Sequence, residues 1–217
     1  MKIIGVEQFG GPEALTMLEA PEPHAGPGEV RIRVKAAAVS PTDTVLRAGG
    51  QGRGQIELPA IPGMDAAGII DEANGAAEWK IGDEVMAVAL PLGARRGAYA
   101  EYLIAPADSL AHIPEGSDFA EASTLPMNGL TAVQTLEKLN LQPGQSLAVT
   151  GAAGTLGNYL VQLAKHAGLV VVADAAGKDR ALVAGLGPDY LVERGDDAAQ
   201  HVREFSPTGS TPSPTPP

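Results

Sequence analysis

Seven residues, Gly151-Ala152-Ala153-Gly154-Thr155-Leu156-Gly157, constrain this chain more than any others because of what flanks them. A short apolar run, Leu147-Ala148-Val149-Thr150, precedes them. Leu156, Leu160, Leu163 and Ala167 then recur at helical spacing, and a second apolar run, Leu169 to Ala173, follows. Strand, glycine turn, helix and strand form the βαβ unit that holds a dinucleotide's diphosphate. Small residues are needed there because the backbone must turn sharply and approach the phosphates, which a Cβ would obstruct. The free N–H groups at the helix start, with the positive end of its dipole, then face the anion. Gly151, Ala152, Ala153, Gly154, Leu156 and Gly157 are therefore the expected cofactor-binding residues.

Charge and composition narrow the alternatives. A formal charge of −11 disfavours nucleic acid and anionic lipid as partners. No run approaches the roughly 20 apolar residues of a membrane span. Met1 to Glu7 lacks the apolar stretch of a signal peptide, so the expectation is a cytoplasmic protein acting on a small molecule. With no cysteine, disulfides, thiolate metal sites and a cysteine nucleophile are excluded. His24, His112, His166 and His201 are scattered without ligand spacing, and no metal is expected.

The first half reads as β-rich. Val30, Ile32, Val34 and Ala36 alternate with Arg31, Arg33 and Lys35, which predicts a strand with one wet face. Lys2 to Phe9 and Leu15 to Glu19 flank Gly10-Gly11-Pro12-Glu13 as a hairpin. Shorter strands are predicted at 67–72, 84–89, 98–104 and 109–113, and so many at this spacing suggest a small barrel-like domain. Beyond Pro114-Glu115-Gly116 a helical pattern runs from Phe119 to about Leu139, interrupted around Pro126 to Gly129. A helix over 178–186 and a third strand over 190–192 follow the glycine unit. The predicted division is 1–118, 119–205 and a tail, 206–217, of low complexity.

Six motifs occur in order. They are Gly28-Glu29-Val30 leading to Ser40-Pro41-Thr42-Asp43, Ile61-Pro62-Gly63-Met64-Asp65-Ala66-Ala67-Gly68, Gly82-Asp83-Glu84-Val85, Gly97-Ala98-Tyr99-Ala100-Glu101-Tyr102, Leu125-Pro126-Met127-Asn128-Gly129-Leu130-Thr131-Ala132 and the glycine run. This set resembles the medium-chain dehydrogenase/reductase superfamily, specifically its zinc-independent quinone oxidoreductase branch, over nearly all of residues 1 to 204. The resemblance implies an α/β chain: an N-terminal GroES-like β-barrel domain followed by a partial Rossmann domain. Where zinc-dependent members carry Cys and His, this chain has Ser40 and Met64, neither a plausible catalytic zinc ligand.

The implied activity is NAD(P)H-dependent hydride transfer to a quinone, enone or other activated double bond. By resemblance, Asn128 and Thr131 lie beside the nicotinamide, and Ser40 and Asp43 line the reactive cleft. For Asp43 a helix cap is an equal alternative. At the end of the second strand Asp174 could accept from the ribose hydroxyls of NADH. Aligned on the family, the acid's place falls nearer Ala176, with Lys178 close by for a 2′-phosphate, which favours NADPH.

Only three of six expected strands of the cofactor domain are readable. Residues from about 206 onward are expected to be a flexible tail or an out-of-frame reading, because a shifted frame over Thr208–Pro217 can spell a phrase similar to the family's fourth strand. Such a truncated chain would leave Leu147–Thr150 at the sheet's edge, prone to aggregation, and without the family's homodimer contact. Other readings stay open: an alcohol dehydrogenase-like enzyme, a non-catalytic nucleotide-binding module, or an inactive gene remnant.

Overall fold

The computed structural model describes residues 1–50, 56–205 and 211–212. The chain forms two compact units, Met1–Met127 and Asn128–Pro217.

In the first unit, β1 (Lys2–Val6) turns through a 3-10 helix at Pro12–Ala14 and pairs antiparallel with β2 (Leu15–Glu19). Then follow β3 (Glu29–Ala37), α1 (Pro41–Arg47), β4 (Asp65–Asn74), β5 (Glu84–Val88), β6 (Tyr102–Pro106), β7 (Leu110–His112) and α2 (Phe119–Ala122). β3 to β7 make one antiparallel sheet in the order β6-β3-β4-β5-β7. The alternation read in β3 is realised physically. Val30 and Ile32 are fully buried with Ile70, Val85 and Ala105. On the opposite face, the Arg31 guanidinium pairs with Asp71 and Glu22.

The expected barrel is not present, because none of the sheets among the described residues closes on itself. Closure needs a continuous hydrogen-bonded ladder with staggered register. Among the described residues β6 and β7 remain edges, and the β1–β2 hairpin meets the rest through isolated bridges, Ile3 to Ala100 and Val6 to Ala60. Around Ala60, Pro59 and Pro62 lack the N–H groups that a continued ladder would need. Strand count and spacing reported strands, not closure.

α3 (Pro126–Leu139) follows α2 after a three-residue break, 123–125. The interruption expected around Pro126 to Gly129 is displaced to this break. Pro126 opens α3 at its first turn, where its missing N–H costs nothing.

The second unit is a parallel sheet. β8 (Ser146–Val149), α4 (Thr155–His166), β9 (Val170–Ala175), α5 (Arg180–Gly185), β10 (Tyr190–Glu193), α6 (Ala198–Phe205) and β11 (Thr211–Pro212) give the order β10-β9-β8-β11. Leu147, Val149, Leu160, Val161, Val171 and Ala173 form its core, with Ala132 of α3 buried among them. β8 is thus not at the sheet's edge as expected, since Thr211 and Pro212 pair in parallel with Leu147 and Ala148. The remainder of the stretch read as a tail lies outside the described residues.

Candidate functional site

The glycine run sits where the sequence places it, between β8 and α4. Gly151 adopts a left-handed conformation, φ +70°, which reverses the chain directly after the strand. Gly154 is the N-cap of α4, with no side chain to cap it. The first helical bond runs from the Asn158 amide to the Gly154 carbonyl at 2.8 Å, so the amides of Thr155, Leu156 and Gly157 have no acceptor within the helix. A Cβ on Gly157 would overlap the Gly151 carbonyl oxygen and approach Ala152 Cα to 2.7 Å. The helix start therefore packs directly on the turn. Together these features turn unpaired first-turn amides and the positive end of the helix dipole outward from a tight turn, a geometry suited to an anion.

Asp174, in β9, is only 6% exposed. Its Oδ1 accepts the Gly151 amide at 2.7 Å and the Ala152 amide at 3.3 Å. Lys178 is exposed, in the 3-10 turn Gly177–Asp179 that joins β9 to α5. Asn128 and Thr131 stand three residues apart in α3, hence on one face of that helix, with Asn128 half-buried.

In the first unit, Ser40 is the N-cap of α1 and Asp43 its third residue. Asp43 is buried, and both its oxygens are occupied. Oδ2 accepts the Ser40 amide at 2.8 Å and the Tyr99 hydroxyl at 3.1 Å, and Oδ1 accepts the Gly63 amide at 2.8 Å. The carboxylate thus caps α1 and ties it to two other segments. Burial, with the Asp43 charge beside it, pushes the Tyr99 hydroxyl well above its ordinary pKa, so it remains a proton donor. Met64 lines a small cavity of about 140 Å³ with Thr42, Asp43, Leu46, Leu90 and Leu92. No group of three His, Cys, Asp or Glu side chains among the described residues is placed to hold a metal ion.

Asp65 was not singled out from sequence. It is 1% exposed and accepts the Met127 amide, in the first turn of α3, at 2.6 Å. Burial raises its pKa to about 6, the Met127 amide opposing and the Asp43 charge adding to the rise. The one available signal was an acid embedded among Met64, Ala66 and Ala67 in an otherwise apolar strand start.

A β-rich unit joined in sequence to a parallel-sheet unit with a glycine turn defines a class: GroES-like domain plus Rossmann-like nucleotide-binding domain. Residues 26–115 match the alcohol dehydrogenase GroES-like domain family. The chain is 35% identical to an alcohol dehydrogenase of Geobacillus stearothermophilus, over 94% of this chain and 67% of that protein. It is 33% identical to a chloroplastic NADPH-dependent alkenal/one oxidoreductase of Arabidopsis thaliana, over 89% of this chain and 52% of that one. Among solved structures, the quinone oxidoreductase of Coxiella burnetii superposes with a TM-score of 0.81 at 31% identity, covering 98% of this chain and 66% of the other. The chain belongs to the medium-chain dehydrogenase/reductase superfamily, in its zinc-independent quinone-oxidoreductase-like branch. It spans about half to two thirds of the length of these relatives. None of the helices among the described residues is long and apolar enough to cross a membrane.

Proposed function

We propose that this chain belongs to an NAD(P)H-dependent oxidoreductase that transfers hydride to a quinone, enone or similarly activated double bond. The observation that carries the proposal is the junction of β8 and α4. There a left-handed Gly151, an uncapped helix start and the close packing of Gly157 on the turn fit a diphosphate. When bound, the nicotinamide supplies the hydride, and the protein supplies binding and orientation. The first-turn amides of α4 hold the diphosphate. Asn128 and Thr131 are assigned to the nicotinamide end, on one face of α3. Ser40 and Asp43 belong to the substrate side, with Asp43 fixing the start of α1 through its three hydrogen bonds, not reacting itself. Substrates carrying a conjugated carbonyl are favoured by the names of the relatives, an alkenal/one oxidoreductase and a quinone oxidoreductase.

NADPH is the proposed cofactor over NADH. The Asp174 carboxylate is drawn onto the glycine turn, whereas Lys178 is exposed just past β9, where a 2′-phosphate would need a cation.

The test is calorimetric titration with NADPH and NADH, followed by NADPH oxidation with a benzoquinone or cyclohexenone. Tighter binding of NADPH and quinone-dependent oxidation are expected. Absence of binding by either cofactor would overturn the proposal, and binding without turnover would leave a nucleotide-binding module.

A further inference from the structure

We infer that Asp174 is a positioning residue for the diphosphate site: it clamps the glycine turn from the neighbouring strand and does not serve as the ribose acceptor. The inference rests on the nucleotide-binding proposal above and assigns its loop a support that the glycine pattern alone does not contain. β8 and β9 are paired with Val149 opposite Ala173, so Asp174 lies one position past the last paired residue, level with the start of the turn. Its Oδ1 receives two successive amides, Gly151 and Ala152. Two adjacent N–H groups converging on one anionic oxygen form a small nest. The left-handed φ of Gly151 is what aims them together.

Among the described residues no ion pair involves Asp174, and the Gly151 and Ala152 amides are the donors its carboxylate receives. Two consequences follow for the cofactor. The Gly151 and Ala152 amides are committed to Asp174, which leaves the grip on the diphosphate to the first turn of α4. Moreover Asp174 is still inside the sheet, paired with Val192 of β10, and buried. The ribose acceptor of an NAD site stands at the strand's end, and there this chain carries Ala175 and Ala176.

The experiment measures NADPH and NADH affinity by calorimetry in wild type, D174N and D174A, with amide hydrogen exchange on the cofactor-free proteins. In wild type the Gly151 and Ala152 amides are expected to exchange slowly. D174N retains an oxygen that accepts both, and is expected to bind both cofactors within about threefold of wild type. D174A is expected to release the two amides and to weaken NADPH and NADH alike, by about tenfold or more, with their ratio unchanged. Should D174A fail to fold, D174N and wild-type exchange still decide the matter. Selective loss of NADH binding in either variant would make Asp174 a ribose acceptor and overturn the inference. Rapid exchange of both amides in wild type would do the same. A wild-type protein binding neither cofactor removes the nucleotide-binding proposal itself. Wild-type binding combined with NADH-selective loss removes the role of Asp174 alone.

Discussion

Gly157 packs against Gly151 so closely that the space a Cβ would need at residue 157 is filled by the Gly151 carbonyl oxygen. The obstruction is backbone, so no side-chain rotation relieves it. G157A must therefore push the start of α4 off the turn. The expected result is destabilisation of about 2 kcal/mol, typical of overpacking, and NADPH affinity lowered at least tenfold. G154A is the control, because its Cβ would stand 3.3 Å from the same oxygen at an ordinary negative φ. Its effect on calorimetric affinity should be clearly smaller. Equal losses in the two variants would contradict the packing explanation.

Asp43 ties three segments through one carboxylate. D43A leaves the Ser40 and Gly63 amides and the Tyr99 hydroxyl without their acceptor. At about 1–3 kcal/mol for each buried donor left unsatisfied, the loss should exceed about 3 kcal/mol. Y99F deletes only one donor and should cost about 1 kcal/mol. Urea unfolding of the two variants measures both. A D43A variant as stable as wild type would show that Asp43 does not hold these three segments together.

Asp65 makes stability depend on pH in an unusual direction for an acid. Its folded pKa, about 6, is raised above its ordinary value of 3.8. Between those values the folded state holds a proton that the unfolded state has released. The contribution is therefore fully present below about 4 and is lost as pH rises through 6. Keeping the ionised form buried costs about 3 kcal/mol at neutral pH, at 1.36 kcal/mol per unit. D65N has no such titration. Relative to D65N, wild type should gain about 1 kcal/mol on going from pH 7 to pH 5. Parallel pH profiles for the two proteins would show that Asp65 does not titrate as its burial requires.

The proposed role of Lys178 predicts a change in the preference between the two cofactors. K178E places an acid where a 2′-phosphate is proposed to lie. NADPH should bind about tenfold more weakly and NADH should be little affected, since only NADPH carries the added charge. Competition titrations read this ratio directly. An unchanged ratio would exclude Lys178 from the 2′-phosphate site.

Local pattern reached far into this fold. The alternation of Val30, Ile32 and Val34 with Arg31, Arg33 and Lys35 is a property of consecutive residues, and β3 follows it. The glycine run was legible for the same reason: turn, helix start and flanking apolar runs are all within one short stretch. α1 was read only as far as a possible cap at Asp43, because its seven residues carry Pro, two Thr and Asp, poor helix formers in isolation. It is held by the Asp43 capping contact and by burial of Leu46 against Val6 and Ala60, which are remote in sequence. α6 escaped notice similarly: its single buried residue, Val202, packs on Ala148, Val172 and Val192 of three different strands.

The amino-acid order by itself determined where the chain turns, which strands are buried, the absence of thiolate chemistry and the family. These depend on residue type and near-neighbour spacing. Tertiary structure alone decided that the first unit's sheet stays open, that β11 covers β8, and that Asp43, Asp65 and Asp174 all turn their carboxylates onto backbone amides. A carboxylate's role depends on which donors lie within about 3 Å of it. Those donors, Gly63, Met127 and Gly151, come from segments 20 to 62 residues away, a distance that no local pattern spans.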